Sequence, residues 1–366
     1  MKRHRGAIIL LVLMTLTAAV CFGVLSMKDS ERVENSPQRV DGIFVNPNGV
    51  RNEFFSRESW DVGKKFLFEK RIEPRPRGAV PIMKFNAADW TSLTPAQMRF
   101  SWLGHSSLLI AMEGALILAD PVFDNRASPV SWMGPERFFP PPVTAAELPP
   151  LDVVLITHDH YDHLERPTIM ALAGKTAQFI VPLGIADLLL EWGVPQDKVT
   201  ELDWWESHEY KGVKFTATPA VHYASRGPLD FNKRLWVSWA INGRDRSAFI
   251  SGDSGYFEAF KTVGNKLGPF DVAFLKIGAY ADEGTWRRMH MTPEEAVAEC
   301  LDVRGKLMVP HHWATFDLGL HPWKEPMERA VKSAEKQGVP YATPKPGELM
   351  DLGSIPKHDF WWERVE

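Results

Sequence analysis

The sequence is poor in cysteine and has no large excess of either charge. Only two of its 366 residues are cysteine, so neither a disulfide framework nor a cysteine-rich zinc site can form. The net charge of −4, from 42 basic and 46 acidic side chains, provides no broad positive surface, and we expect no nucleic-acid partner. Hydrophobic residues make up 45% and charged residues 24%, which excludes general disorder and a polytopic membrane protein. The 12 histidines therefore remain as the soft metal ligands.

An uncharged stretch of 22 residues, 6–27, follows a basic N-terminus. As a helix it would span roughly 33 Å, which is enough to cross a bilayer. Basic residues before the stretch place the N-terminus in the cytoplasm and the body outside it. We therefore predict a membrane-anchored, extracytoplasmic protein, on the periplasmic side of the inner membrane if it is bacterial. A cleaved signal peptide and a lipidated Cys21 are the alternatives, and both lead to the same side of the membrane.

The chain divides into an anchor or signal segment (1–27), a tether and N-terminal extension (28–80) and a main body (81–366). Strands are predicted at 99–103, 107–112, 115–119, 151–157, 178–181, 213–218, 236–241, 248–251, 271–277 and 306–309. Helices are predicted at 166–173, 185–192, 293–302 and 326–337. Strand runs followed by helices, repeated twice, indicate two sheets packed face to face with helices outside.

Four potential metal ligands lie within six residues directly after the apolar run 151–157. The six residues are His158, Asp159, His160, Tyr161, Asp162 and His163. In a tight loop at a strand end, alternate side chains can point to one centre and the next pair to a neighbouring centre. His158 and His160 can therefore share one metal, and Asp162 and His163 a second.

Three later apolar runs also end at potential ligands: His222, Asp253 and the pair His311 and His312. Residues at strand ends commonly meet at one sheet edge and form a site there. A bridging Asp253 completes one set with His158, His160 and His222. It completes a second set with Asp162, His163 and one of the two adjacent histidines. Histidine and carboxylate without thiolate favour zinc, with iron or manganese as alternatives.

The order His-x-His-x-Asp-His, then His, Asp and His, is similar to that of the metallo-β-lactamase superfamily. Within it, the chain resembles the N-acyl-phosphatidylethanolamine-hydrolysing phospholipase D family over residues 46–352. The motifs that carry this resemblance include Trp102-Leu-Gly-His-Ser-Ser107, Asp120-Pro-Val-Phe123, Glu201-Leu-Asp-Trp-Trp-Glu206, Gly252-Asp-Ser-Gly-Tyr256, Ile277-Gly-Ala-Tyr280 and His312-Trp-Ala-Thr-Phe316.

The resemblance implies a four-layer αββα sandwich with two zinc ions per chain. The implied ligands are His158, His160, Asp162, His163, His222, Asp253 and His312. Among the adjacent pair, His312 is chosen because Trp313 follows it. The implied reaction is hydrolysis of N-acyl-phosphatidylethanolamine-type phospholipids to N-acylethanolamine and phosphatidic acid by a metal-bridging hydroxide. Asp162 is expected to orient the hydroxide, and His290 to stabilise the phosphate or assist the leaving alcohol.

A lipid substrate requires apolar walls and access from a membrane surface. Residues 131–143 combine large apolar side chains with three consecutive prolines, which is typical of a rigid, non-helical rim. Trp286, Met289 and Met291 are expected to form another wall, and His105 to orient its neighbours near the site. The alternatives are a lactonase, a phosphodiesterase with soluble substrates, or a non-catalytic zinc-binding envelope protein. The oligomeric state stays open, with a homodimer as one option.

Overall fold

The computed structural model describes residues 30–47, 71–90, 97–282 and 284–366, and the single residues 61, 64, 65, 68 and 94. The anchor or signal segment predicted at 1–27 lies outside these residues. Among the residues that are described, no helix has the length and apolar character needed to cross a membrane.

The strands, in chain order, are β1 (Arg39–Val40), β2 (Ile43–Phe44), β3 (Met98–Trp102), β4 (Leu108–Met112), β5 (Ala115–Ala119), β6 (Leu151–Leu155), β7 (Thr176–Pro182), β8 (Val199–Leu202), β9 (Ser207–Tyr210), β10 (Val213–Thr218), β11 (Ser238–Asn242), β12 (Ser247–Ile250), β13 (Val272–Lys276), β14 (Met308–His311) and β15 (Met350–Asp351). The helices are α1 (Glu31–Glu34), α2 (Arg166–Leu172), α3 (Ala186–Glu191), α4 (Ala259–Leu267), α5 (Gly284–Met289), α6 (Pro293–Asp302) and α7 (Glu325–Gln337).

Two mixed sheets form the body of the molecule. The first has the order β15-β3-β4-β5-β6-β7-β8, and the second has the order β14-β13-β12-β11-β10-β9. In the first sheet, β5 to β8 are parallel and β3 to β5 pair antiparallel. In the second sheet, β12 to β14 are parallel. Strand β11 pairs antiparallel with both β10 and β12, so β10 runs in the same direction as β12. The carboxyl ends of several strands therefore meet at one edge of each sheet.

The two sheets face each other and carry helices on their outer faces. Successive strand side chains point to opposite faces of a sheet. In β4, Ile110 joins the core between the sheets, whereas Leu109 joins a second core with Ile169 of α2 and Leu189 of α3. The rings of Phe100 and Phe274 meet edge to face across the sheets, 5.3 Å apart. The predicted αββα sandwich is confirmed.

Helices α6 and α7 on the second sheet match the predicted bounds to within one residue. The side chain of Thr292 caps α6 by accepting from Glu295 N, and the Glu295 carboxylate accepts from Thr292 N at 2.9 Å. Helix α7 ends at Gly338, whose φ of 67° lies in the left-handed region that favours glycine. The sequence-based prediction lacks helices α1, α4 and α5 and strands β1, β2, β8, β9 and β15.

The N-terminal extension is folded against the body where it is described. Val33 of α1 and Phe44 of β2 are 2% and 0% exposed, and both belong to the core between the sheets. Ser36 donates a hydrogen bond to Asp203 at 2.6 Å. Residues 30–47 are thus an ordered part of the sandwich, although the sequence suggests a tether. The domain boundary at residue 81 stays a prediction.

Candidate metal centre

The polar side chains that sequence reasoning selected meet at the carboxyl ends of strands from both sheets. His158 to His163 follow β6, and His105 follows β3 in the same sheet. His222, Asp253 and His312 follow β10, β12 and β14 in the facing sheet. The parallel direction of these strands brings all of these residues to one edge of the sandwich.

Three ring nitrogens form the first group of this site. His158 Nε2 lies 3.0 Å from His160 Nδ1, and His160 Nδ1 lies 3.3 Å from His222 Nε2. His158 and His222 are completely buried or nearly so. Three nitrogens at this spacing from one another are positioned to share a cation.

The second group contains Asp162, His163 and His312. His312 Nε2 lies 3.5 Å from Asp162 Oδ2, and His163 Nε2 lies 3.7 Å from the same oxygen. His311, the alternative to His312, belongs to no such group among the described residues. The structure thus places His312, and not its neighbour, with the other candidate ligands.

Asp253 lies between the two groups. Its Oδ1 is 3.2 Å from His312 Nε2 and 3.5 Å from His163 Nε2. Its Oδ2 is 3.8 Å from His222 Nε2. The carboxylate therefore has one oxygen for each group, which is the arrangement that the sequence predicts for a bridging ligand.

Hydrogen bonds at the back of three rings leave their Nε2 atoms free. Asp120 Oδ2 lies 2.7 Å from His163 Nδ1, and Met289 O lies 3.2 Å from His222 Nδ1. Carboxylate and carbonyl oxygens only accept, so each Nδ1 carries the proton. His158 Nδ1 lies 3.0 Å from Thr157 Oγ1, whose own hydrogen is donated to Asp120. In all three rings, the Nε2 lone pair points into the site.

The donor atoms at this site fit a divalent cation. Among the described residues, His163 Nε2, His312 Nε2 and Asp253 Oδ1 are buried and form no hydrogen bond. A buried polar atom without a partner costs about 1–3 kcal/mol. A bound cation satisfies all of these atoms at once. Imidazole and carboxylate donors suit zinc, iron or manganese.

The protonation states of the first histidine group and of Asp162 agree with ligand roles. Burial lowers the pKa of His158 and of His222 well below the usual range, so both are neutral near pH 7. Burial opposes ionisation of Asp162. The neighbouring His163 and the hydrogen bond from His105 nevertheless hold the pKa of that carboxyl well below its usual value. Neutral imidazoles and ionised carboxylates are the forms that bind metals. In the second group, burial lowers the pKa of His163 and of His312, but the neighbouring carboxylates outweigh burial and raise both values, so a bound cation must displace a proton there.

His105 contacts a ligand and lies beside another, as predicted for an orienting residue. Its Nε2 donates to Asp162 Oδ2 at 2.9 Å, and its backbone oxygen accepts from His312 N at 2.8 Å. Burial lowers the pKa of His105 to about 3, so the ring is neutral. The Thr315 hydroxyl accepts from its backbone N–H at 2.7 Å. His105 thus fixes the positions of one candidate ligand from each sheet.

His290 lies on the Asp253 side of the site. Its Nδ1 is 3.6 Å from Asp253 Oδ2, and its ring centre is 4.9 Å from that of His222. With His222 and Asp253, it forms a further group of donor atoms close enough to hold an ion. The predicted position beside the ligands is therefore found in the structure.

The predicted rim agrees with the structure, but part of the predicted wall does not. In the non-helical segment 131–143, Trp132 and Met133 are 74% and 56% exposed. Phe138 of this segment lines a hollow that reaches His312. Met289 and Met291 are 1% and 0% exposed and belong to the core, so they do not form a wall.

Three residues at the site carry roles that the sequence reasoning did not assign. Asp120 holds His163 and Thr157, as described above. Asn46, from the N-terminal extension, accepts from His222 N and donates to His222 O, each at 2.8 Å. Tyr223 places its ring 4.5 Å from that of His160. The sequence could have indicated Asp120, because its carboxylate directly follows an apolar strand. No local pattern indicates a role for Asn46 or Tyr223.

A model of the beta-lactamase superfamily domain matches residues 116–313, which include all seven candidate ligands. The chain belongs to the metallo-β-lactamase superfamily. It is 35% identical to a Caenorhabditis elegans protein named N-acyl-phosphatidylethanolamine-hydrolyzing phospholipase D 1, over 77% of this chain and 83% of the other. Within the superfamily, the chain is therefore similar to this phospholipase D. An uncharacterised Mycobacterium tuberculosis protein is 40% identical over 90% of this chain and 88% of its own length.

Other relatives agree on the fold and on the class of enzyme. Igni18, a metallo hydrolase from the archaeon Ignicoccus hospitalis, shares the fold with a TM-score of 0.51 and 22% identity. The match covers 70% of this chain and 98% of Igni18. A metal-dependent hydrolase of Nitratidesulfovibrio vulgaris is 29% identical over 60% of this chain and 82% of its own length. The protein is a metal-dependent hydrolase of the metallo-β-lactamase superfamily.

Proposed function

We propose that the protein is a dinuclear zinc-dependent phosphodiesterase of the phospholipase D type. Its substrate is an N-acyl-phosphatidylethanolamine-type phospholipid, and its products are N-acylethanolamine and phosphatidic acid. The observation that carries the proposal is the position of Asp253 between two groups of donor atoms. Similarity to the nematode phospholipase D supports the choice of a phosphodiester over other substrates.

Two divalent cations held by these ligands supply an activated water near neutral pH and neutralise charge on a phosphoryl oxygen. His158, His160 and His222 would hold one of them, and Asp162, His163 and His312 the other. Asp253 would contribute to both. Zinc is the choice because the donor set contains imidazole and carboxylate without thiolate.

Two side chains act on the reacting groups in this proposal. Asp162 accepts a hydrogen bond from the attacking water and orients it, because His105 fixes its carboxylate. His290 directs Nδ1 at Asp253, so Nε2 on the other side of the ring remains for the substrate phosphate. A positioned donor there stabilises charge that develops on the phosphate.

The rim supports a substrate presented by a membrane. Trp132 and Met133 expose large apolar side chains on a segment that three consecutive prolines stiffen. Aromatic side chains with one apolar and one polar edge favour the interfacial region of a bilayer. We propose that this rim contacts an extracytoplasmic membrane surface, to which the N-terminal stretch 6–27 anchors the chain.

The test is mass spectrometry of liposomes containing N-acyl-phosphatidylethanolamine, before and after incubation with the zinc-loaded protein. We expect N-acylethanolamine and phosphatidic acid in equal amounts. The Asp253→Asn variant should lose hydrolysis and bind less zinc. Asp245→Asn removes one exposed carboxylate away from the site and is the matched control. It should behave like the wild type.

Other results would redirect the assignment. Hydrolysis of a soluble phosphodiester or of a lactone, without cleavage of the lipid, would contradict the lipid substrate. Full activity of Asp253→Asn with normal zinc content would contradict the site. Zinc-loaded protein that hydrolyses no member of a diester and ester panel would favour a non-catalytic zinc protein.

A further inference from the structure

Tyr223 lies against the group of three histidine nitrogens. It directly follows His222, and its ring centre lies 4.8 Å from that of His222. The ring of His160 meets it edge to face at 4.5 Å and 63°. Phe231 packs near its ring at 6.1 Å. The phenol is therefore located at the candidate metal centre, between two proposed ligands and an aromatic side chain.

The hydroxyl of Tyr223 differs from most tyrosine hydroxyls in the chain. Four of the six tyrosines donate to an oxygen: Tyr161 to Arg226, Tyr256 to Asp302, Tyr280 to Glu325 and Tyr341 to Glu335. Tyr223 is half-buried, and within the described part of the chain its hydroxyl makes no hydrogen bond. Beside the proposed ligands, the chain thus provides a donor that is free for a substrate.

The backbone around Tyr223 is fixed on both sides. His222 N and O are bonded to the Asn46 side chain, and Ala224 N donates to Asn232 Oδ1 at 3.1 Å. Ser225 N donates to Asp159 Oδ1 at 2.9 Å. Hydrogen bonds to residues 222, 224 and 225 restrict the backbone of the intervening tyrosine. Little conformational entropy is therefore lost when this residue binds a substrate.

Asp159 connects this segment to the ligand loop. Its carboxylate is completely buried, and Arg234 Nη1 contacts its Oδ2 at 2.9 Å. The same guanidinium contacts Asp230 Oδ2 at 2.8 Å. Asp159 lies between His158 and His160, so the segment that carries Tyr223 is attached to the loop that carries two proposed ligands.

We propose that the Tyr223 hydroxyl donates a hydrogen bond to a non-bridging phosphoryl oxygen of the substrate. The inference rests on the proposed phosphodiester hydrolysis. In that reaction, a water oxygen bonds to phosphorus, the P–O bond to the N-acylethanolamine breaks, and a proton from the water ends on the departing alcohol. Negative charge on the non-bridging oxygens requires donors throughout. Tyrosine keeps its own proton near pH 7, so its hydroxyl is available as a donor.

The experiment compares Tyr223→Phe with the wild type on the zinc-loaded full chain. The substrates are N-acyl-phosphatidylethanolamine liposomes and the soluble diester bis(p-nitrophenyl) phosphate. We expect kcat to fall about 10- to 100-fold on both substrates, since one hydrogen bond to a charged oxygen is lost. Bound zinc should be unchanged. Tyr210→Phe removes a phenol hydroxyl on β9, beside the opposite end of β10, and should keep wild-type activity.

A second measurement does not depend on turnover. Calorimetry of inorganic phosphate binding to the same zinc-loaded proteins should give a dissociation constant about 10-fold higher for Tyr223→Phe. Wild-type kcat and phosphate affinity in this variant would overturn the inference. A defect confined to the lipid would also overturn it, because it would indicate protonation of the poor alcohol leaving group.

The same measurements separate this inference from the proposed function. If the wild-type protein cleaves the aryl diester but not the lipid, the lipid substrate is contradicted. The kcat of Tyr223→Phe on the aryl diester then still tests the role of the tyrosine. If the wild type cleaves neither substrate, the phosphate affinity of the variant decides the inference alone.

Discussion

The carboxylate of Asp120 lies 2.7 Å from Nδ1 of His163, although 43 residues separate the two in the chain. The same carboxylate accepts from the backbone N–H and the hydroxyl of Thr157, at 2.8 and 2.6 Å. Asp120 follows β5, and Thr157 and His163 follow the neighbouring parallel strand β6. Pairing of these two strands therefore sets the tautomer of one proposed ligand.

Replacement of Asp120 by asparagine should weaken zinc binding about 10- to 100-fold. The charge that holds the Nδ1 proton of His163 is lost, and the amide group can present a donor to a nitrogen that already donates. Competition with a chelator measures the zinc affinity. Asp124→Asn, an exposed carboxylate in the same loop, is the control and should bind zinc like the wild type. Equal affinities for the two variants would show that Asp120 does not orient the ligand.

Local sequence patterns identify those site residues that directly follow apolar strands. His158 to His163, His222, Asp253 and His312 all meet this condition, and the structure brings them together. Asn46 does not, because its contacts to His222 cross 176 residues and depend on how the extension packs. Tyr223 looks like any aromatic residue in a loop until the fold places His160 beside it. Local sequence patterns do not predict such contacts between distant segments.

The secondary-structure elements also divide into those that local sequence patterns predict and those that depend on contacts between distant segments. Strands β5 and β10 have the predicted bounds. Strand β5 is a continuous buried apolar run, and β10 alternates Val213, Phe215 and Ala217 with polar residues. Strands β8 and β9 lie at sheet edges and contain polar, partly exposed residues, so only pairing identifies them. Helix α4 contains Gly264, which reads as a helix breaker. A Cβ there would lie 2.1 Å from Asp302 O, so glycine is required for close packing against α6.

Asn46→Ala should destabilise the protein and reduce its activity. Both backbone groups of His222 that Asn46 satisfies are buried, and leaving them unpaired costs about 1–3 kcal/mol. The displaced His222 should also lower kcat on bis(p-nitrophenyl) phosphate. Thermal unfolding and steady-state kinetics measure the two effects. Asn35→Ala, an exposed position in the same extension, should change neither.

A second variant tests the explanation. Asn46→Asp keeps an acceptor for His222 N, but it loses the donor to His222 O and places a buried carboxylate beside that carbonyl. Its unfolding midpoint near pH 7 should therefore fall at least as far as that of Asn46→Ala. A midpoint of Asn46→Ala equal to that of the wild type would mean that the extension does not support the site.

Removal of the metal should lower thermal stability. Without a cation, His163 Nε2, His312 Nε2 and Asp253 Oδ1 are buried and form no hydrogen bond among the described residues. A ligand at about 100 times its dissociation constant stabilises the native state by about 2.7 kcal/mol. We expect chelation to lower the unfolding midpoint by about 3–5 °C, and added zinc to restore it. A midpoint that is the same with and without chelator would contradict a metal site here.

Glu299 is a completely buried carboxyl group on α6, away from the proposed ligands. Neither of its side-chain oxygens has a hydrogen-bond partner among the described residues. Burial and the nearby Asp302 raise its pKa well above the usual value, against the opposing charge of Lys276. The group is therefore protonated in the native state at pH values where the unfolded chain has already released the proton.

Stability should consequently fall with rising pH because of Glu299, and Glu299→Gln should remove that dependence. Above the ordinary glutamate pKa of about 4.3, the unfolded state binds fewer protons than the native state, so the contribution is lost as pH rises. Relative to Glu299→Gln, the wild type should lose up to about 1.4 kcal/mol of unfolding free energy per pH unit. Denaturant unfolding of zinc-loaded proteins between about pH 6 and pH 8 measures the difference. Glu328→Gln, at an exposed position of α7, should keep the wild-type slope. Parallel slopes for wild type and Glu299→Gln would show that Glu299 is ionised in the native state and held so by Lys276.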